Sequence, residues 1–274
     1  MIVISINVCK DPDFLSKQLQ NIAKYVKIPY TVILSCNDFM YEELKELSLE
    51  HVILNPSVIN KKRFHGSLTR GIYSNMKFCV DNNIGFSRFL ILSARTFFFY
   101  EVNKSTVFPE NTFNSTHLCS AIINKAEINY KKWYWPKIIQ TSLFKFFFDN
   151  KHYQKIGRSR HEGLVLGYHV CKNIIHFFEN HTSIKDELFR FKTCVEEFAL
   201  QTISLNYCGD NNNTGFGSLL ANKKTMSETV ANQLILKRRP DDFSCVYRSW
   251  YEHELISRNM GIKSRRALRR CHKR

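Results

Sequence analysis

Over the first hundred residues, short β-branched runs alternate with stretches whose apolar positions have helical spacing. "IVISINV" (2–8) is bounded by Asp-Pro-Asp and reads as a buried strand. "DFLSKQLQNIAKYV" (13–26) has the helical period. "YTVILS" (30–35) predicts a second strand, "YEELKELS" (41–48) a helix and "HVILN" (51–55) a third strand. "GSLTRGIYSNMKFCVDN" (66–82) predicts a longer helix and "RFLILSA" (88–94) a fourth strand. Such alternation implies right-handed crossovers and a mainly parallel sheet flanked by helices, an α/β architecture. Ligands in such sheets bind beyond the carboxyl ends of the strands. Asn7, Asn37 and Asp38 stand at those ends.

Beyond residue 105 the pattern is less regular. "CSAIINK" (119–125) predicts a strand, and "KKWYWPK" (131–137) a basic, aromatic loop. "LVLGYHVCKNIIHFFEN" (164–180) reads as mostly helical. "KTCVEEFALQTISLNY" (192–207) reads as a helix that starts on paired glutamates. "NYCGDNNNTGFG" (206–217) reads as a loop, "ANQLILKRRPDDFS" (231–244) ends in a basic cluster, and a last helix is expected over 242–259. With no repeat and no linker, the simplest organisation is one domain over 1–262 and a basic tail over 263–274.

The chain has 274 residues, 44% hydrophobic and 23% charged, which suits a folded globular protein with a sizeable core. Its net charge is +16, and the last twelve residues hold seven basic groups and no acid. Without them the rest still carries +9. This balance favours an anionic partner: nucleic acid, a membrane surface or a phosphate-bearing substrate. Nine dispersed cysteines without a C-x-x-C pair read as free thiols in a reducing compartment. No run approaches a membrane span and no signal-peptide pattern opens the chain, so a cytoplasmic location is expected.

Five stretches carry candidate chemistry. In the glutamate run, Thr193 and Glu196 have capping-box spacing, which gives Glu196 a structural role. Glu197 points off the packed face and is either a solvated first-turn acid or a catalytic base. In "LILKRRPDD", Lys237, Arg238 and Arg239 offer ammonium and guanidinium donors for phosphate oxygens, or are a solvated cluster. In "KKRFHGSLTRGIYSNM", a Gly-Ser enters a helix beside His65 and Arg70, where backbone N–H groups favour anions. Trp133 and Trp135 are either a stacking platform for a sugar or base, or core. His161 and Glu162, in "RSRHEG", supply a second candidate base. Neither standard nucleotide loop is present, and no H-x-x-x-H or H-E-x-x-H pattern occurs.

In order, these pieces resemble the core-2/I-branching β-1,6-N-acetylglucosaminyltransferase family, which includes peptide xylosyltransferases. The family pattern of a turn, a helix and a strand "inLSGqDyPl" matches the layout of "FHGSLTRGIYSNMKFCVDNNIGFSRFLILSARTFFF" (64–99). Its "SPDExxxxT" is similar to "CVEEFALQTI" (194–203), with Glu197 on the catalytic Glu and Thr202 on the Thr. Its "LFARKF" is similar to "LILKRR" (234–239), with Arg238 on the phosphate-binding Lys. Two departures stand out. "LSART" puts Arg95 near where the family has an acid, and Cys194-Val195 replace Ser-Pro.

The resemblance implies a GT-A-type nucleotide-diphospho-sugar transferase fold and an inverting transfer of N-acetylglucosamine or xylose from a UDP-sugar. Glu197 would be the general base. Basic side chains, Arg238 with Lys237 and Arg239, would stabilise the leaving diphosphate in place of a metal, so no metal or other cofactor is expected. Asn7, Asn37, Asp38, His65 and Arg70 would line the donor. Arg95, Trp133, Trp135, His161 and Glu162 would line a glycan or lipid-linked acceptor. The family's animal members are membrane-anchored and luminal, whereas this sequence looks bacterial or viral, peripheral at an anionic membrane through its tail. The rival class is a basic protein that binds nucleic acid or membrane without catalysis. It gives no reason for Glu197, and nucleic acid is not the expected partner.

Overall fold

The computed structural model describes residues 1–46, 49–62, 64–94, 96–98, 102, 120–124, 128–131, 134–149, 155–159, 161–207, 214–216, 219–221 and 246–248. Its centre is a six-stranded mixed sheet. The strands are β1 (Ile2–Val8), β2 (Tyr30–Cys36), β3 (Val52–Leu54), β4 (Arg88–Ser93), β8 (Leu164–Gly167) and β9 (Thr214–Phe216). They lie in the order β3-β2-β1-β4-β8-β9. The first four are parallel; β8 runs antiparallel to β4, and β9 antiparallel to β8. Five of the six strands therefore point the same way, as the α/β reading requires.

β1 is apolar throughout because both its faces are covered. Ile2, Ile4, Ile6 and Val8 join Val32, Leu34, Leu90 and Leu92 in one core. That core is closed by Leu15 and Ile22 of α1 (Pro12–Tyr25) and by Met40 and Leu44 of α2 (Asp38–Leu44). Val3, Ile33, Phe89 and Ile91 face the other way. They pack with Ile72, Met76 and Cys79 of α3 (Ser67–Asp81), and with a Phe-rich group that includes Phe147, Phe177 and Phe178.

The second half of the chain departs from the sequence reading at several points. The stretch 131–137 holds the start of a short helix, α4 (Trp135–Ile138), and α5 (Ser142–Asp149) follows it. The run 164–180 is mostly helical, as expected, but not from its start. Its first four residues are β8, and α6 (Tyr168–Asn180) begins after Gly167. A further helix, α7 (Thr182–Arg190), precedes the glutamates. In the predicted loop 206–217, Thr214–Phe216 form β9. Of the helix expected over 242–259, Val246–Arg248 are a strand, β11, paired with β10 (Leu219–Ala221) and with β5 (Thr96–Phe98). Val and Tyr fit that pleated pairing better than a helix. β6 (Ser120–Asn124) pairs with β7 (Lys155–Ser159).

A polar seam runs between α3 and the sheet. Asn75, fully buried, donates from Nδ2 to Ser5 Oγ and to the Ile33 carbonyl, each at 3.0 Å. Its Oδ1 accepts from Asn55 Nδ2 at 2.9 Å. The seam leads along α3 toward the carboxyl ends of β1 and β2.

Candidate functional site

Asn7 sits near the end of β1, in register with Ser35 of β2 on one side and Ser93 of β4 on the other. The chain winds from β1 to β2 and β3 in one direction, then crosses to β4 on the opposite side. Asn7 thus marks the switch point, where a crevice opens in sheets of this kind. Its Nδ2 donates to the Leu68 carbonyl at 2.9 Å, and its buried Oδ1 has no hydrogen-bond partner among the described residues. Asn37 is a structural tie. Its Nδ2 donates to the Cys9 carbonyl at 3.0 Å, and its Oδ1 caps α2 by accepting from Met40 N–H at 3.2 Å. Asp38, in the first turn of α2, accepts from Asn60 Nδ2 at 2.7 Å.

Beside these residues lies Lys61, which in the sequence is simply part of a basic loop. Its Nζ turns inward and donates to the Ser35 carbonyl at 2.9 Å and to the Ile59 carbonyl at 3.1 Å. Burial pushes its pKa down to about 8, and the thiols of Cys9 and Cys36 pull it partly back. Burial in turn raises the Cys9 thiol, and raises Cys36 to about 12, with Lys61 opposing both. Gly71 makes this packing possible: a Cβ there would overlap Asn7 Oδ1 and Lys61 Cε.

The start of α3 carries His65 and Arg70. Three of the backbone N–H groups at its start are already used by the chain itself. Ser67 N–H donates to His65 Nδ1 at 3.0 Å, Leu68 N–H to the His65 carbonyl at 3.1 Å, and Gly66 N–H to the Phe191 carbonyl at 2.9 Å. The anion affinity expected of those N–H groups is therefore spent locally. His65 is held below its usual pKa by burial, then by Lys62 and Lys192. Lys62 and Lys192 beside it are both exposed, and exposed Arg70 follows on α3.

The paired glutamates do not start a continuous helix. Val195–Glu197 form a 3-10 turn, Phe198 breaks it at φ −141° and ψ −30°, and α8 (Ala199–Tyr207) begins afresh. The capping box is absent: no side chain caps the turn, and Thr193 Oγ1 is buried without a hydrogen-bond partner among the described residues. Burial and the preceding turn, which fixes Glu197 N–H on the Cys194 carbonyl at 3.1 Å, replace it. Glu196 is buried at 3% exposure, and its carbonyl accepts from Gln201 Nε2 at 3.1 Å. Glu197 alone of the pair is partly exposed. Thr202 is held in a structural role, since its Oγ1 accepts from Gly157 N–H of β7 at 3.2 Å.

Tyr134 joins this turn to the aromatic stretch. Burial raises its hydroxyl to about 12, helped by a hydrogen bond to the Cys194 thiol and by the charges of Glu197 and Glu196. The 3-10 turn also packs on α3. Trp135, expected as a platform, is 3% exposed and lies in the core among Ile138, Leu143 and Phe147. A ring so enclosed has no open face for an acceptor. His161 and Glu162 approach to 3.5 Å, Nδ1 to Oε2, at the carboxyl edge of β4, where Gly163 N–H donates to the Ile91 carbonyl at 2.7 Å. Glu162 is only 1% exposed. Arg95, Trp133, Lys237, Arg238 and Arg239 lie outside the described residues.

One acid motif has no counterpart among the sequence candidates. Asp11-Pro12-Asp13 has D-x-D spacing immediately after β1. Asp11, at φ 69°, caps α1 by accepting from Phe14 N–H at 3.1 Å, and Asp13 is an exposed first-turn acid. Both residues thus fit the ordinary start of a helix.

No protein-family model matches the chain, the core-2/I-branching family included, and no curated protein matches it. Among solved structures it is similar to the apo structure of WbbM, a bifunctional glycosyltransferase. That similarity has a TM-score of 0.41 at 8% sequence identity, over 92% of this chain and 46% of that one. The chain spans less than half the length of that protein.

Proposed function

We propose that the protein is an inverting glycosyltransferase, which moves N-acetylglucosamine or xylose from a UDP-sugar to a hydroxyl of a glycan or lipid-linked acceptor. One observation carries the choice of base. Of the two candidate bases, Glu162 is sealed in the interior, as is Glu196 beside the other, and Glu197 is partly open to solvent. A general base must reach the proton it removes. In the reaction, Glu197 takes the proton of the acceptor hydroxyl as that oxygen attacks the anomeric carbon. The new C–O bond forms on the face opposite the departing nucleoside diphosphate, whose bond breaks with its electron pair. Tyr134, held protonated, is a neutral hydrogen-bond donor beside the carboxylate and adds no competing charge. The basic run Lys237, Arg238 and Arg239 takes the leaving diphosphate, and no metal is required.

Glu197→Gln keeps the shape of the side chain and removes its basicity. It is expected to abolish transfer while the thermal shift on adding UDP-sugar stays within a degree or so of wild type. A fully active variant would end the assignment, and Glu162→Gln serves as the comparison. Donor class is read from thermal shifts across UDP-, GDP- and CMP-sugars. Transfer is expected to survive EDTA, and strict dependence on Mn²⁺ or Mg²⁺ would overturn the metal-free part.

A further inference from the structure

The inward cation beside the switch point has no role in the chemistry above. We propose that Lys61 anchors a phosphate-binding position at the carboxyl ends of β1 and β2, which takes either the phosphate of a nucleotide-sugar or free inorganic phosphate. Only the first of these ligands rests on the glycosyltransferase reading.

The two carbonyls on Lys61 Nζ satisfy two of its hydrogens but do not neutralise it. The groups that favour its charged form are Cys9 and Cys36, and burial holds both thiols protonated. Other lysines of the fold do have carboxylates: Lys45 pairs with Glu42 at 2.6 Å, and Lys77 with Glu179 at 2.9 Å. Lys61 has no salt bridge among the described residues, and Asp38, at the start of α2, is bonded to Asn60. A desolvated cation without a counter-ion is unfavourable unless something else supplies the negative charge.

Polar groups around it are also incomplete. The third hydrogen of the ammonium has no acceptor among the described residues. Ser35, fully buried and in register with Asn7, has an Oγ without a partner among them, and so does Asn7 at Oδ1. The Lys61 side chain is only partly buried, so its ammonium can donate to an anionic oxygen that reaches this end of the strands. Lys10 adds positive charge close enough to act on the Cys9 thiol.

The test is amine acylation of the wild-type chain, read lysine by lysine by mass spectrometry, with phosphate, diphosphate, UDP and uridine as separate additions. Diphosphate and UDP are expected to slow acylation of Lys61 at least threefold. Uridine should not, and exposed Lys24, near the opposite edge of the sheet, should be unchanged. Protection by phosphate or diphosphate, with no response to UDP or UDP-sugars, keeps this position and removes the nucleotide-sugar reading. A UDP thermal shift with Lys61 unprotected overturns this position and leaves that reading standing. Lys61→Met is the second arm, expected to weaken diphosphate binding at least tenfold, with Lys61→Arg recovering part of it. Unchanged affinity in Lys61→Met also overturns the proposal.

Discussion

At the scale of single residues, Lys61 links the candidate site to stability. Its pKa falls from the ordinary lysine value of 10.5 to about 8 on folding. Between those values the unfolded chain holds a proton that the folded chain has released, so this group's contribution to stability rises with pH. The full change is on the order of 3 kcal/mol. Cys36, Cys79 and Tyr134 act in the opposite sense, since burial raises each to about 12 and the folded chain keeps protons the unfolded chain loses. The lysine contribution is therefore read as a difference. Urea melts of wild type and Lys61→Met at pH 7.5 and pH 10 should show wild type gaining stability relative to the variant as pH rises. A constant gap would mean that Lys61 titrates normally. The sequence could not place this residue, because an inward lysine and a solvated one look alike in "NKKRF". Glu196 and Glu197 were separable only in part. A helical wheel assumes one phase, and the break at Phe198 resets it.

Among the elements, the strands and helices of the first ninety residues were legible because β-branched runs and helical spacing alternate cleanly there. β8 was not, since four apolar residues running straight into a helix give periodicity nothing to separate. β7 and β9 carry glycines and polar residues, and only their partners make them strands. α3 shows how two elements fix a third. A Cβ on Gly66 would drive into the backbone carbonyl of Leu188, at the end of α7. Gly66→Ala is therefore expected to destabilise the fold by about 1–3 kcal/mol, the usual cost of overpacking. Gly85, which has open space around its Cβ position, is the control, and Gly85→Ala should change the denaturant midpoint little. Equal midpoints for the two variants would mean that the loop before α3 is not docked on α7.

Across the molecule, the parallel half of the sheet followed from the alternation of elements, whereas the antiparallel entry of β8 did not. The chain between β4 and β8 is irregular in pattern, and nothing in it states the direction of return. That direction matters to the site, because it brings His161 and Glu162 in at the start of a strand, beside the ends of the parallel ones. Leu166, fully buried opposite Phe89, holds this junction. Leu166→Ala should cost about 2–5 kcal/mol in chemical denaturation. Loss of less than about 1 kcal/mol would mean that the β4–β8 seam is not part of the cooperative core. The same seam sets a schedule during synthesis. Once residue 93 has left the ribosome, β1 can be flanked on both sides, but the outer edge of β4 waits for 164–167. Throughout that interval the nascent chain presents an apolar, unpaired strand edge, the kind of surface on which newly made chains aggregate unless a chaperone shields it.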